Sequence, residues 1–269
     1  MKTFINQSVK RKAGVILSAA ALTCLLLSGC ATTKGPNGQA SADSAGQSND
    51  DPLEGYNRVM FKINDLVDQA VMQPVAMGYR MFIPKPARNC VRNFLHNLHT
   101  PINAGNNLLQ GDIRGVATDL SRFMINTTIG IAGLFDVAKD TGLEYRPEDF
   151  GQTMGVWGVP PGPYFVLPLL GPSSIRDTVG LAADSYADPV RIYLHNTHRM
   201  GLYYARAALI GLDNREALLD AIWDLRKHSI DYYAATRSAY FQERDAMVRN
   251  NRASAPAASA DSIPDYDHP

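Results

Sequence analysis

Apolar side chains between residues 53 and 71 fall at Val59, Ile63, Leu66, Val67, Ala70 and Val71, the spacing of one helix face, with Met60 and Phe61 widening it. Asp51-Pro52-Leu53-Glu54 opens that run with a cap residue, a proline in the first turn and a glutamate three residues after the cap. Pro84 and Pro86 open a second predicted helix through about His99, with Val91, Phe94, Leu95 and Leu98 on one side. Gly111-Asp112 opens a third, carrying Ile113, Val116, Leu120, Phe123 and Met124 at helical period. Shorter helices are predicted over 147–154 and over 173–187, the latter capped by Ser173. Residues 190–210 read as helical and aromatic, Asp213 as the cap of a helix through Arg226, and Ser229 as the start of a last helix to about Val248. No period-two alternation is sustained, and no internal repeat is present. The predicted class is all-α.

Two segments break the amphipathic pattern. Residues 123–135 and 150–175 carry no charge and are rich in glycine, and five prolines fall within 155–174. Each interior proline removes a backbone donor and clashes with the preceding turn, so 150–175 cannot be one helix. It is also too apolar for a solvated loop, with Phe165, Val166, Leu167, Leu169 and Leu170 together. Such segments belong either to a buried core or against lipid, and periodicity alone supports both equally. After residue 30 no apolar run reaches the length of a transmembrane helix.

The chain ends bear on that choice. Lys10, Arg11 and Lys12 precede an apolar stretch from Val15 to Leu27, followed by Leu27-Ser28-Gly29-Cys30. This is the pattern of a lipoprotein signal, in which the Cys30 thiol accepts diacylglycerol after cleavage. Ala31, rather than aspartate, follows it and favours the outer membrane. Four regions result: a signal peptide over 1–29, the lipidated cysteine and a flexible Gly/Ser/Ala tether over 30–50, a helical domain over 51–250, and a disordered tail over 251–269.

The whole chain is balanced at 26 basic and 26 acidic residues. The signal holds Lys2, Lys10, Arg11 and Lys12 and no acid, so the mature chain keeps 22 basic against 26 acidic residues, a net −4. That argues against nucleic acid, which needs a basic surface. With Cys24 in the signal and Cys30 lipidated, Cys90 has no partner for an internal disulfide and reads as a small buried hydrophobe. His96/His99 and His195/His198 are spaced to share helix faces, yet neither pair sits in a metal-binding frame with carboxylates or thiols. Asp149-Phe150-Gly151 lacks every companion of the kinase magnesium motif, and Gly171-Pro172-Ser173-Ser174 is no nucleophile elbow. No catalyst, cofactor or metal site is assembled.

Several short motifs follow one another in order: Asp51-Pro52-Leu53-Glu54-Gly55-Tyr56-Asn57-Arg58, Pro84-Lys85-Pro86-Ala87-Arg88-Asn89, Leu108-Leu109-Gln110-Gly111-Asp112, Phe150-Gly151-Gln152-Thr153, and Gly162-Pro163-Tyr164 with Leu167-Pro168, Gly171 and Arg176-Asp177. Over about residues 51–250, and with its lipoprotein signal, the chain resembles the VacJ/MlaA family of outer-membrane lipoproteins. The resemblance implies a multi-helix, ring-like lipoprotein embedded in the inner leaflet of the outer membrane, on its periplasmic side, with a central amphipathic channel. It implies that misplaced phospholipid passes from the outer leaflet to the soluble carrier MlaC, and through it to the inner-membrane transporter MlaFEDB, while the lipoprotein associates with trimeric porins. Apolar faces would then turn outward to lipid and polar faces toward the channel.

Under that reading Cys30 is the lipidation site. The polar residues inside uncharged segments, Asn126, Thr127, Thr128, Gln152 and Thr153, become candidate channel-lining residues, as do Asn103, Asn106, Asn107 and Gln110. Each could equally satisfy backbone groups. Tyr203, Tyr204, Tyr232, Tyr233 and Tyr240 suit the membrane interface, a porin contact or plain core packing. Two other functions are compatible with the chain: an anchored envelope scaffold that moves no lipid, and a lipid hydrolase using Ser173 or Ser174.

Overall fold

The computed structural model describes residues 51–249. The signal peptide, Cys30, the tether and the tail named above lie outside the described residues. Helix α1 (Glu54–Val67) runs through a π-helical turn (Asp68–Met72) into α2 (Gln73–Phe82). Helix α3 (Lys85–Gln110) is the longest among the described residues and ends at Gly111, whose left-handed φ of 78° suits glycine. The Asp112 side chain accepts from the Gly115 amide and caps α4 (Ile113–Thr128), which packs back along α3. After the single turn α5 (Val137–Asp140), the Asp149 side chain caps α6 (Phe150–Val156). Strands β1 (Tyr164–Leu167) and β2 (Gly171–Ser174) pair antiparallel, Tyr164 opposite Ser174 and Leu167 opposite Gly171. The Ser174 side chain then caps α7 (Ile175–Ala187), and Asp188 caps α8 (Pro189–Asn196). Helices α9 (Met200–Ala217), α10 (Leu219–His228) and α11 (Tyr232–Val248) complete the domain.

The fold is helical, as predicted, and several local expectations are corrected. The second helix does not stop near His99. Pro101 sits inside α3, where it forfeits one backbone bond, and side chains of Asn103, Asn106 and Asn107 fasten the following turns to other elements. The predicted helix over 190–210 is two helices, broken at Thr197–Arg199. Asp213 is no cap: it lies inside α9, and its carboxylate accepts from Arg92 at 2.8 Å. The cap of the last helix is Asp231 rather than Ser229. Ser173 belongs to β2, so Ser174 is the cap.

The uncharged stretch 150–175 holds the strand hairpin that no alternation announced. Its free edge is satisfied by asparagines. Asn57 donates to the Tyr164 carbonyl at 3.0 Å and accepts from the Val166 amide at 2.9 Å. Asn64 does the same for the Leu167 carbonyl and the Leu169 amide, both at 2.8 Å. Two helical turns rise about 10.5 Å and three strand residues about 10 Å, so asparagines seven apart on α1 match the strand beside them. Tyr164, Val166 and Tyr233 form the apolar core here, against Met60, Phe61, Tyr240 and Phe241. Three of the five tyrosines left open above are therefore settled in part: Tyr233 is buried and Tyr240 packs on the hairpin, while Tyr232 contacts Phe61 edge-on at 4.9 Å. Tyr203 pairs its hydroxyl with Ser185, and Tyr204 is exposed.

Helices α6 and α7 cross where Gly151 meets Gly180. A Cβ on Gly180 would stand 2.3 Å from the Gly151 nitrogen, so only glycine permits this approach.

Elsewhere the distribution of polarity is inverted. Among the described residues ten apolar side chains are buried, against 22 polar or charged ones that include Arg88, Asp119, Arg122, Arg176, Arg206, Asp213, Arg215 and Glu216. Charged groups are almost never fully buried in water-soluble proteins unless paired. Large apolar side chains instead cover the outside: Met81, Phe82, Leu120, Met124, Ile129, Leu169 and Leu170 are all more than half exposed. On α4 the two faces separate cleanly, with Asp119, Arg122 and Asn126 buried and Ile113, Leu120 and Met124 outward. No helix among the described residues is long and apolar enough to cross a membrane.

Candidate functional site

The buried polar residues form linked networks. Arg244 on α11 holds Asp149 at 2.6 Å and Asp177 at 3.0 Å, tying the caps of α6 and the first turn of α7 to the last helix. Burial pushes both carboxyls up, yet Arg244 holds Asp149 below the usual carboxylate range, and the Tyr240 hydroxyl with Arg244 does the same for Asp177. Arg80, Arg88 and Arg92 converge on Asp213, Glu216 and Asp220, joining α2 and α3 to the end of α9 and the start of α10. Arg215 and Arg226 hold Asp68, and Arg122 holds Asp136.

Five of the polar candidates meet in a seam between α3 and α6, and a sixth, Asn107, turns from α3 to α4 beside it. Asn103 donates to the Arg146 carbonyl and accepts from the Glu148 amide, both at 3.2 Å. Asn106 donates to Asp184 and accepts from Thr153. Gln110 donates to Glu148 at 2.9 Å and to Thr153 at 3.2 Å. Gln152 donates to the Pro147 carbonyl and to Asp149. Asn107 donates to Asp119 at 2.8 Å. The other three lie apart. Asn126 accepts from the Ala138 amide and donates to Asp136, which fastens the turn before α5. Thr127 pairs with Asn97, and Thr128 bonds the carbonyl of Met124 on its own helix while its residue is exposed.

Of these nine, Asn107 alone lines the polar cleft beside the seam, a cavity of about 220 Å³. Its walls are Asn107 from α3, Arg114, Gly115 and Asp119 from α4, and Glu144, Arg146 and Glu148 from the segment before α6. Asp119 and Glu148 are both buried, and loss of water raises both carboxyls, Asp119 to about 6. The sequence reading passed over these two acids. Asp119 was legible only as a charge opposite the apolar stripe of α4, and Glu148 as an ordinary first-turn acid. A larger depression, about 500 Å³, lies along α10 and its end and gathers only Asp224 and His228 as charged or ionisable groups.

The raised carboxyl makes a stability prediction. Asp119 prefers its neutral form in the fold, so its contribution is fully present below about pH 3.8 and is lost as the pH rises through about 6. Arg122 on its own helix opposes this shift. Glu148 and Tyr145 face it from the neighbouring segment. Asp119→Asn, which keeps the Asn107 hydrogen bond, is expected to stabilise the protein at pH 7.5 by on the order of 2 kcal/mol, at 1.36 kcal/mol per pKa unit. At pH 4 the gain should largely vanish. Thermal melts at both values check this.

The histidine pairs hold no metal frame. His96 stacks on Tyr145 with ring centres 4.0 Å apart, and burial holds its pKa down at about 4. His198 lies beyond the end of α8 in left-handed conformation. Among the described residues no three His, Cys, Asp or Glu side chains are placed to share a metal ion. Ser173 pairs with Thr178, and Ser174 is engaged by the Asp177 amide.

A family model described as MlaA lipoprotein matches residues 49–247. The chain belongs to the MlaA lipoprotein family. It is 39% identical over 233 residues to the Escherichia coli protein named intermembrane phospholipid transport system lipoprotein MlaA, covering 85% of this chain and 87% of that one. The Haemophilus influenzae protein of the same name is 30% identical over 259 residues, covering 94% and 97%. A solved structure, described as a structural basis for maintenance of bacterial outer membrane lipid asymmetry, is 37% identical with a TM-score of 0.66, over 74% of this chain and all of that one. Membership in the MlaA family accords with the helical fold and with the absence of a membrane-crossing helix among the described residues.

Proposed function

We propose that this MlaA-family chain lies within one leaflet of the outer membrane, anchored at Cys30 on the periplasmic side, and removes misplaced phospholipid from the outer leaflet. The observation that carries the reading is the inverted polarity of the fold. Apolar side chains on the outside lose nothing when they face acyl chains, whereas in water they would form exposed patches of a kind that marks lipid or protein contact. A phosphate headgroup is costly to move through hydrocarbon, and a wet polar interior lowers that cost while the acyl chains stay in apolar surroundings. The names carried by the E. coli and H. influenzae relatives agree with this. The lipid would pass through an amphipathic channel within a ring of helices to MlaC and onward to MlaFEDB, with trimeric porins beside the ring. No chemical step is needed, and directed transport takes its energy from partners.

The test is the phospholipid content of the outer leaflet of intact cells, measured in a deletion strain with and without this protein. The deletion should accumulate surface phospholipid, the wild-type chain should reverse it, and Cys30→Ser should not. An unchanged outer leaflet would put the anchored scaffold in its place.

A further inference from the structure

The cleft between α3, α4 and residues 142–148 holds a feature that the fold does not use. Asn107 is 3% exposed, and its Oδ1 has no hydrogen-bond partner among the described residues, although its amide donates to Asp119. That oxygen lies over Gly115 at the cleft wall, where a Cβ would stand 2.3 Å away. Any residue but glycine at 115 would cover it or push it aside. Beside it, Asp119 and Glu148 are 2% and 4% exposed, accept only from neutral amides among the described residues, and form no ion pair there. Native folds rarely leave buried acceptors so poorly matched unless something else satisfies them.

A donor-rich cation would match these groups. Three acceptors line the one cleft, and a primary ammonium presents three N–H donors and no acceptor. The exposed charged residues of the cleft are Arg114 and Arg146 with one acid, Glu144, so its rim is net positive, which disfavours a bare metal cation and attracts a phosphodiester. A volume of about 220 Å³ admits a small polar headgroup and leaves acyl chains outside. We infer that this cleft binds the phosphoethanolamine headgroup of a phospholipid, its ammonium on Asn107 Oδ1, Asp119 and Glu148 and its phosphate on Arg114 and Arg146. The assignment deepens the transport reading and rests on it for the source of the ligand. Choline headgroups, with no N–H to give, and glycerol headgroups, with no positive charge, are poor matches.

The experiment uses the purified full-length lipoprotein in detergent, titrated with glycerophosphoethanolamine, glycerophosphocholine, glycerophosphoglycerol and magnesium. In parallel it is reconstituted in vesicles of phosphatidylethanolamine or phosphatidylcholine carrying a headgroup-labelled probe lipid of each kind. The ethanolamine compound should bind, and the choline and glycerol compounds about ten-fold or more weakly, the loss of one charge-assisted hydrogen bond. Asp119→Asn should cost a similar factor while the protein melts no lower than wild type, and Gly115→Ala should weaken binding by covering Asn107. Equal binding of all three compounds, or wild-type binding by Asp119→Asn, overturns the site. Binding of magnesium alone that depends on Asp119 overturns it in favour of a metal site. Discrimination among the soluble compounds with none among the vesicle lipids overturns the lipid source. A chain that restores outer-leaflet asymmetry yet ignores headgroup identity loses this site and keeps the transport function. A chain that selects ethanolamine yet restores nothing loses the transport function and keeps the site.

Discussion

Glu216→Ala is expected to destabilise the protein by about 3–5 kcal/mol, the cost of removing one partner from a buried ion pair. The Glu216 side chain is 6% exposed and receives Arg80 at 3.0 Å, Arg92 at 3.2 Å and Arg88. Arg92 would keep Asp213, and Arg80 would keep Asp220. Arg88 would be left with no carboxylate while nearly as buried as before. Because the glutamate stands near the end of α9 and its partners on α2 and α3, the loss should also loosen those helices from one another. Denaturant or thermal unfolding in detergent measures it. Glu216→Gln, which keeps acceptors without the charge, should fall between the two. A change below about 1 kcal/mol, the range of a surface pair, would show that the cluster is already solvated.

The second large effect lies on the opposite face of the same design. Leu120→Arg combined with Met124→Arg places two charges on the outward stripe of α4, where the side chains are 51% and 67% exposed. On a surface facing water such changes fall within about 0.5 kcal/mol. Against hydrocarbon each charge costs about 2–4 kcal/mol near the middle of the bilayer and less near its surface. The double variant should therefore fail to clear phospholipid from the outer leaflet at equal protein level. Full restoration by this variant would mean that the stripe does not meet lipid.

The two predictions separate what was legible from what was not. The helical period of α4 was plain from Ile113, Leu120 and Met124, and Asp112 announced its cap. Of the capping signals, Asp112 holds, Ser173 stands one residue early, Ser229 gives way to Asp231, and Asp51 lies ahead of α1, whose first-turn boundary is Leu53 with no side-chain cap. Such signals misled where tertiary pairing claimed the residue, as with Asp213, which answers Arg92 inside α9. The hairpin at 164–174 was hidden because its backbone partners are not a third strand but Asn57 and Asn64, which lie about a hundred residues away and look in sequence like polar residues on a helix.

The candidate site shows the same division. Asn103, Asn106, Gln110, Gln152 and Thr153 stood out as polar residues at or near uncharged segments, and the fold gathers them into one seam, with Asn107 beside it on Asp119. Asn126, Thr127 and Thr128 had the same local appearance but fasten a turn and a helix end. Asp119 and Glu148, the acids of the cleft, carried no local sign of burial.

By itself the sequence determined most of the helices, the Asp112 cap, the anchor pattern and the family, because these depend on residues close along the chain or on motifs in order. Only the tertiary structure decided which side of each amphipathic helix faces in. Periodicity is the same for a helix with an apolar core and for one with an apolar coat. What breaks the tie is whether distant charges can find one another, and here Arg80, Arg88, Arg92, Arg122 and Arg244 each meet a carboxylate from another element, so the polar faces close on one another and the apolar faces are left outside.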